Sequence, residues 1–412
     1  MFALQIGCCQ NNVIYHPETF YDATAHHNVS IQYTNTRDEL ISLTQTLVST
    51  PSHHDATAVG DIIQNWIETN TDATVRRDSR GNIIAQRAGG SASTSLALIG
   101  HHDVVDPHEQ QVINDDEYRV TKQSGRLYGR GTADMKGSLA AALLAFRDTT
   151  PVDNLEVVFA SFTGEEDGGI GAQAAIDDGF SPEYAIVGEG STNYAGVGQT
   201  DIVIAHKGRR GSTLTAHGEA AHASEVECGV NAIYRASDAI DILRELAADV
   251  PIATVEDTEI NGSLAVTEVD GGTEWNSIPE TSHVTIDERT VPGKRVPIEQ
   301  AAIEGVTWDI DQDLPPMACD DTAFATAVTD VATSVHMEET GTPTQVTKPH
   351  ATDAGWLSEA GTTCVIVGAA EPGEAHTAEE SVSIDAIERC YDIYRTVPSQ
   401  QYIDNNEYWL SN

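Results

Sequence analysis

Apolar and polar positions alternate in two rhythms along this chain. In "TRDELISLTQTLVST" and "DATAVGDIIQNWIET" apolar residues return at helical spacing, and Thr36 stands where an N-cap would, so two helices are expected early. Short, nearly continuous apolar runs come next. "GNIIAQRA", "STSLALIG", "NLEVVFASF" and "PEYAIVGE" read as strands, with helices expected from about Met135 to Arg147 and near Gly169 to Asp178. Apolar strands alternating with helices imply an α/β fold whose mainly parallel central sheet is covered on both faces.

The middle third keeps a different rhythm. From "IVIAHKGRRGSTLTAHG" through "GVNAIYRASDAIDILREL", "GSLAVTEVDGGTEWNSIPE" and "TSHVTIDERTVPG" to "IEQAAIEGVTWDI", the order is strand, helix, strand, strand, short helix, strand. That order suits a ferredoxin-like, split β-α-β unit inserted into the first domain, with "LPPMACDD" marking the return. The expected organisation is an extension over 1–36 to which the sequence gives no role, a first catalytic part over 37–206, an inserted domain over 207–313 and a second catalytic part over 314–412. A length of 412 residues, beyond what one core usually supports, agrees with more than one domain.

Charge changes the picture of habitat. Asp plus Glu number 64 against 22 Lys plus Arg, a formal charge of -42, with only five lysines: Lys122, Lys136, Lys207, Lys294 and Lys348. Such a charge expands a compact domain at low salt and is tolerated where concentrated salt screens it, so a high-salt cytoplasm is expected. It argues against nucleic acid or an anionic membrane as partner, since both would be repelled. A disordered acidic protein is argued against by the regular apolar runs. Six cysteines without a C-x-x-C pair suggest reduced, structural thiols. The absence of a basic residue before Arg37 is unlike a secretory signal, and no apolar run approaches the roughly 20 residues of a membrane helix.

The chemistry sits where strands end. In open α/β sheets ligands collect at the carboxyl ends of strands. After "LALIG" comes "HHDVVD" (His101 to Asp106); "YGRGTADMKG" puts Asp134 at a helix start; after "VVFASFTG" come Glu165 and Glu166; after "YAIVG" comes Glu189; and "TTCVIVGA" leads through "AEPGE" to His376. Adjacent carboxylates alone mean little here, because Asp115-Asp116, Asp177-Asp178, Asp320-Asp321 and Glu379-Glu380 also occur. Five loops at one sheet edge that each offer a His or a carboxylate mean more. Two imidazoles and three carboxylates suit two zinc ions, one carboxylate bridging, with a water between. Residues i and i+2 of an extended segment point the same way, so Asp103 is placed to orient the His101 imidazole. Neighbours point apart, so Glu166 can bind a cation while Glu165 faces the water. His102, beside His101, is a competitor for the same ligand role.

The motifs "GHHDVVD", "GRGTADMKG", "TGEEDGG", "VGEGS" and "EAHTAEE", in this order between roughly residues 37 and 396, resemble the dinuclear-zinc hydrolases that include acetylornithine deacetylase, succinyl-diaminopimelate desuccinylase, aminoacylase-1 and glutamate carboxypeptidase. The resemblance implies a zinc-peptidase-like catalytic domain whose insert is a lid that also forms a homodimer. It implies that His101 and Glu189 hold one zinc, Glu166 and His376 the other, that Asp134 bridges them, and that Glu165 is the general base. Cobalt or manganese are alternatives to zinc. His222 in "GEAAHAS" matches a histidine that reaches the partner subunit's site; Asn276 and Arg289 match substrate contacts; Thr352, Asp353 and Gly355 in "KPHATDAGW" match a substrate-carboxylate loop. The expected activity is hydrolysis of an N-acyl amino acid in amino-acid biosynthesis, such as that of arginine or lysine. Alternatives are a carboxypeptidase or dipeptidase with the same metal site, acting on short peptides, and, more remotely, a non-catalytic binding protein. Two departures bear on specificity: "VGEGS" replaces the commoner Glu-Pro-Thr, and Asp106 stands where relatives often carry Pro.

Overall fold

A computed structural model describes residues 23–88, 92–114, 117–336 and 341–399, with side chains from Thr36 on. Chain contacts divide it into Met1–Glu39 and Leu40–Asn412. Of the first unit the described residues are helical. The helix runs Ala23–Ser49, so Thr36, read as its N-cap, lies inside it instead. The preceding "ATAHHNVSIQYTN" contains neither Gly nor Pro, and nothing in it stops the helix. Cys8 and Cys9 lie outside the described residues; Cys228, Cys319, Cys364 and Cys390 are free thiols, the last three buried.

The second unit is built on a nine-stranded sheet. At its centre, Thr94–His101 pairs in parallel with Leu155–Phe162 on one side and Tyr184–Val187 on the other, and Thr363–Ile366 continues in parallel beyond Tyr184–Val187. Antiparallel neighbours close both flanks: Thr74–Arg77 and Ile83–Ala88 on one, Ile202–His206 and Met317–Ala318 on the other. Gln345–Lys348 runs parallel to Ile202–His206.

Period-two alternation sorts the central strands' apolar residues between two cores. Leu96, Leu98, Val157 and Phe159 face one, with the helices Gly137–Asp148 and Ile384–Thr396. Ala97, Ile99, Val158 and Ala160 face the other, with Ala172 and Ala175 of the Ile170–Asp177 helix and Ala354 and Leu357 of the Asp353–Glu359 helix. Burial on both faces explains why these strands read as unbroken apolar runs.

A separate antiparallel sheet carries the middle third, in the order Ser263–Gly271, Thr281–Arg289, Arg209–His217, Val306–Leu314. Its inner face packs Leu214, Ala216, Val284 and Ile286 against Ala232, Ala236, Ala239 and Leu243 of the Ala232–Leu246 helix. Asn231 caps that helix by accepting the Ile233 amide at 2.9 Å. No helix among the described residues is long and apolar enough to cross a membrane.

Candidate metal centre

The parallel strands deliver their last residues to one place. His101 ends its strand, opposite Phe162 of the next, and is 1% exposed. Its Nε2 lies 3.1 Å from Asp134 Oδ1 and 3.3 Å from Glu189 Oε1. The other oxygen of Asp134, Oδ2, is 3.2 Å from His376 Nε2, which is itself 3.1 Å from Glu166 Oε1. Two imidazole–carboxylate clusters thus share Asp134, one through each oxygen. Within His101–Asp134–Glu189, and again within Asp134–Glu166–His376, donor atoms lie within 4.8 Å of one another. His101, Glu165 and Glu166 form a further group of this kind.

Local backbone explains how the loops reach inward. Asp134 lies in the Thr132–Lys136 turn, and Glu380 Oε1 accepts the amides of Ala133 and Asp134 at 2.9 and 3.2 Å. Glu380 is in turn paired with the buried Arg130, whose guanidinium also donates to the carbonyls of Asp106 and His376. One buried ion pair therefore ties together the turn of Asp134 and the loop of His376. His376 has φ +64°, left-handed for a residue with a side chain, and its half-exposed ring bonds to Asp134 and Glu166 from there. Lys348 donates to Glu189 Oε2 at 3.0 Å, leaving Oε1 to face His101.

Asp103 is beside His101, though its nearest atom to Nδ1 is the carbonyl at 3.1 Å, with the carboxylate at 3.6 Å. The carboxylate accepts the amides of Glu165 and Glu166 at 3.3 and 3.2 Å, fixing the acidic turn. His102 turns the other way, to Ser161 Oγ at 2.7 Å, and burial pushes its imidazole down to about 3.

The electrostatics are those of a crowded acidic site. Burial alone would lower the His101 imidazole, but Asp103, Asp134 and Glu189 hold it well above its ordinary value. Hydrogen bonds to Asp134 and Glu166 raise His376 to about 10. Burial, then the neighbouring Glu189, Asp353 and Glu166, drives the Glu165 carboxyl well above the carboxylate range. Glu166 is raised chiefly by burial, and Asp353 to about 7 by burial. Burial would also raise Glu189, but Lys348 and His101 together outweigh it and the group is lowered. Protons on the imidazoles balance carboxylates that would otherwise repel one another. Nitrogen and carboxylate oxygen donors around one shared carboxylate suit a pair of borderline divalent cations, so the donor set fits.

The remaining residues expected at the site are spread over two regions. In the first, Asp353 is buried, and its Oδ1 has no hydrogen-bond partner. Thr352 caps the Asp353–Glu359 helix and meets His206 Nε2 at 3.2 Å. A Cβ on Gly355 would lie 2.1 Å from the Pro315 carbonyl oxygen, so that position is held to glycine by backbone contact. Gly355→Ala is expected to destabilise the protein by about 1–3 kcal/mol through overpacking, read as a lower denaturant midpoint with an unchanged slope.

In the middle third, His222 is exposed, with Nδ1 2.6 Å from Ser224 Oγ, on a two-residue strand paired with Ser277–Ile278. The Asn276 carbonyl accepts the Ala223 amide at 2.9 Å. Arg289 donates to Asp287 at 2.7 Å and, with Lys348, acts electrostatically on His350. No hydrogen bond or ion pair among the described residues joins His222, Asn276 or Arg289 to the His101–His376 cluster. Sequence reasoning missed Lys348, Arg130 and Glu380. Glu380 and Arg130 lie inside two of the quoted motifs, and Lys348 is one of five lysines in an acidic chain. The signals for Lys348 are its rarity and its place at the head of "KPHATDAGW".

An α/β sheet that gathers two imidazoles and several carboxylates at its strand ends is the framework of a metal-assisted hydrolase. Residues 97–400 match peptidase family M20/M25/M40, and the chain belongs to that family. It is 28% identical over 358 residues to a probable succinyl-diaminopimelate desuccinylase of Staphylococcus epidermidis, covering 78% of this chain and 86% of the relative. Among solved structures it resembles aminopeptidase PepT from Bacillus cereus, with a TM-score of 0.70 and 17% identity over 88% of this chain and 97% of that one. It also resembles a dinuclear metal-binding M20 peptidase of Bacillus subtilis, with a TM-score of 0.63 and 16% identity over 89% and 98% of the two chains.

Proposed function

We propose that this chain is a two-cation amidohydrolase that removes the acyl group from an N-acyl amino acid. The observation that carries the reading is Asp134, whose two oxygens each meet a separate imidazole–carboxylate set. His101 and Glu189 would hold one cation, Glu166 and His376 the other, with Asp134 between them. Bound there, divalent cations, zinc first and cobalt or manganese as alternatives, would polarise the scissile carbonyl and lower the pKa of a water.

The chain's own residues do the rest. Glu165 lies half-buried against the same cluster, outside the two sets that share Asp134. It accepts a proton from the attacking water and returns it to the departing nitrogen, and positive charge beside it favours the ionised form it needs. Asp103 holds the backbone of Glu165 and Glu166 in place, and Lys348 holds the outer oxygen of Glu189. Arg289, Asn276, Thr352, Asp353 and Gly355 define the substrate side in this reading. His222 serves the site of a second copy in a homodimer formed through the 207–313 lid.

The name of the Staphylococcus epidermidis relative favours a succinylated diamino acid as substrate, with acetyl as the alternative acyl group. A metallo-exopeptidase is the second reading, favoured by the likeness to aminopeptidase PepT. A panel of acetylornithine, succinyl-diaminopimelate, tripeptides and C-terminal dipeptides in concentrated salt separates them. Turnover of peptides without turnover of N-acyl amino acids would overturn the first reading.

Cation binding should displace protons. In protein stripped of metal, His376 is held at about 10 and His101 well above 6.5, so both imidazoles are charged at pH 7. Ligation needs them neutral, so both imidazole protons are released, and ionisation of the raised Glu165 and Glu166 carboxyls adds to the release. Apparent affinity is therefore expected to rise from pH 6 to pH 8, since protons compete less as pH increases. Calorimetric titration of Zn2+ in buffers of different ionisation enthalpy measures the release; a heat independent of buffer would show that the imidazoles are not ligands.

A further inference from the structure

A second group of metal-type donors lies outside the centre already described. His53 and His54, adjacent in "PSHHDA", lie with ring centroids 4.1 Å apart and their planes tilted by 42°. Asp106 arrives from the loop that follows His101, with its Oδ1 3.9 Å from His54 Nδ1. One donor atom from each of the three lies within 4.8 Å of the others. Neither His53 nor His54 belongs to any motif that carries the proposed hydrolysis, and Asp106 is one of the positions at which the chain departs from the family pattern.

Three features favour a cation here over a chance encounter of surface groups. The Tyr118 hydroxyl bonds His53 Nδ1, which fixes that ring and leaves Nε2 as its ligand atom. An outer partner on the second ring nitrogen is how metal-binding imidazoles are commonly oriented. The Asp106 backbone is held as well, since its carbonyl accepts from Arg130 at 3.3 Å. Finally, His54 and Asp106 have side chains 77% and 80% exposed, so both can rotate to close on an ion while His53 anchors it. Two imidazole nitrogens and one carboxylate oxygen, with water completing the shell, are donors suited to zinc and other borderline transition metals, and poorly suited to calcium or magnesium.

We propose that His53, His54 and Asp106 form a third divalent-cation site, selective for zinc-like ions and weaker than the catalytic pair. The site is at the rim of the catalytic centre, because the Arg130 guanidinium that holds the Asp106 carbonyl also reaches the carbonyl of His376. Solvent-exposed ligands, two of them free to rotate, and the lack of a carboxylate shared with a second cation set its affinity below that of the catalytic clusters.

The test is equilibrium dialysis of the full-length protein against graded Zn2+, in concentrated KCl so that diffuse attraction to the -42 chain is screened. Wild type should take up a third equivalent after the two tight ones, and Mg2+ at the same concentration should not displace it. His54→Ala and Asp106→Asn, both at exposed positions that carry no fold contacts of weight, should each weaken the third equivalent by roughly tenfold or more. His283→Ala, at another exposed histidine, should leave it unchanged. A wild type that stops at two equivalents, or a third equivalent that survives both variants, overturns the site. Glu166→Gln perturbs only the tight phase, so failure of the two-cation reading is seen there, apart from the weak phase.

Discussion

Glu165→Gln is expected to lower kcat by about 10²–10⁴-fold while the protein keeps its full complement of bound cations. This expectation rests on the division of labour within the acidic turn. Glu166 Oε1 meets His376 at 3.1 Å and belongs to a set that shares Asp134, whereas Glu165 belongs to neither of those sets. Glutamine preserves size and one acceptor oxygen but cannot take a proton, so only proton transfer is removed. KM should change little, because both the substrate side and the cation ligands are untouched, and kcat and kcat/KM should fall together. Metal analysis beside steady-state kinetics decides the matter. Loss of a cation with the activity would make Glu165 a ligand, since it also lies with His101 and Glu166 among possible donors. Full activity in the variant would remove it from the reaction.

Much of this arrangement is legible in the sequence, for a physical reason. Buried parallel strands leave unbroken apolar runs, and the residues just past each run must lie at the same sheet edge. Those beyond Gly100, Phe162, Val187 and Ile366 are therefore expected to be neighbours, and His101, Glu166, Glu189 and His376 are neighbours in space. The middle third is legible for the same kind of reason: its strand, helix, strand, strand, short helix, strand order leaves one antiparallel sheet covered on one face by the Ala232–Leu246 helix, with Ile298–Ala301 as a single short turn, as the compact solution.

The illegible part depends on pairing across long stretches of chain. Lys348 lies 159 positions from Glu189, and Arg130 lies 250 positions from Glu380. No local period announces such partners, and in a chain so rich in acid a Glu reads as solvated surface. The i, i+2 alternation brings Asp103 to the correct imidazole but not with the correct atom: the carbonyl is nearest, because the carboxylate is engaged by the amides of Glu165 and Glu166. Thr36 misleads because a threonine before an apolar stripe is equally acceptable inside a helix when no breaker precedes it. Thr352 and Gly355 illustrate a further ambiguity. Whatever they offer a substrate, the fold already uses one as a helix cap and the other for backbone clearance.

The second large effect is expected at the shared carboxylate. Asp134→Ala should bring bound cation from two per chain to less than one and remove measurable turnover, whereas Glu189→Gln should lose mainly the cation at the His101 side. The contrast comes from geometry: Asp134 Oδ1 serves His101 at 3.1 Å and Oδ2 serves His376 at 3.2 Å, while Glu189 meets only the first imidazole and spends its other oxygen on Lys348. Removing an outer partner of a ligand typically weakens binding by about 10–100-fold; removing a ligand common to two sites should exceed that at both. The fold should survive, because the backbone of the turn is held independently of the Asp134 side chain by Glu380, which accepts the amides at 133 and 134, and by Arg130. Circular dichroism and the denaturant slope check that point, and metal analysis after exhaustive dialysis gives the count. If Asp134→Ala retains both ions, the two clusters do not share a ligand, and the two-cation reading of the site fails with it.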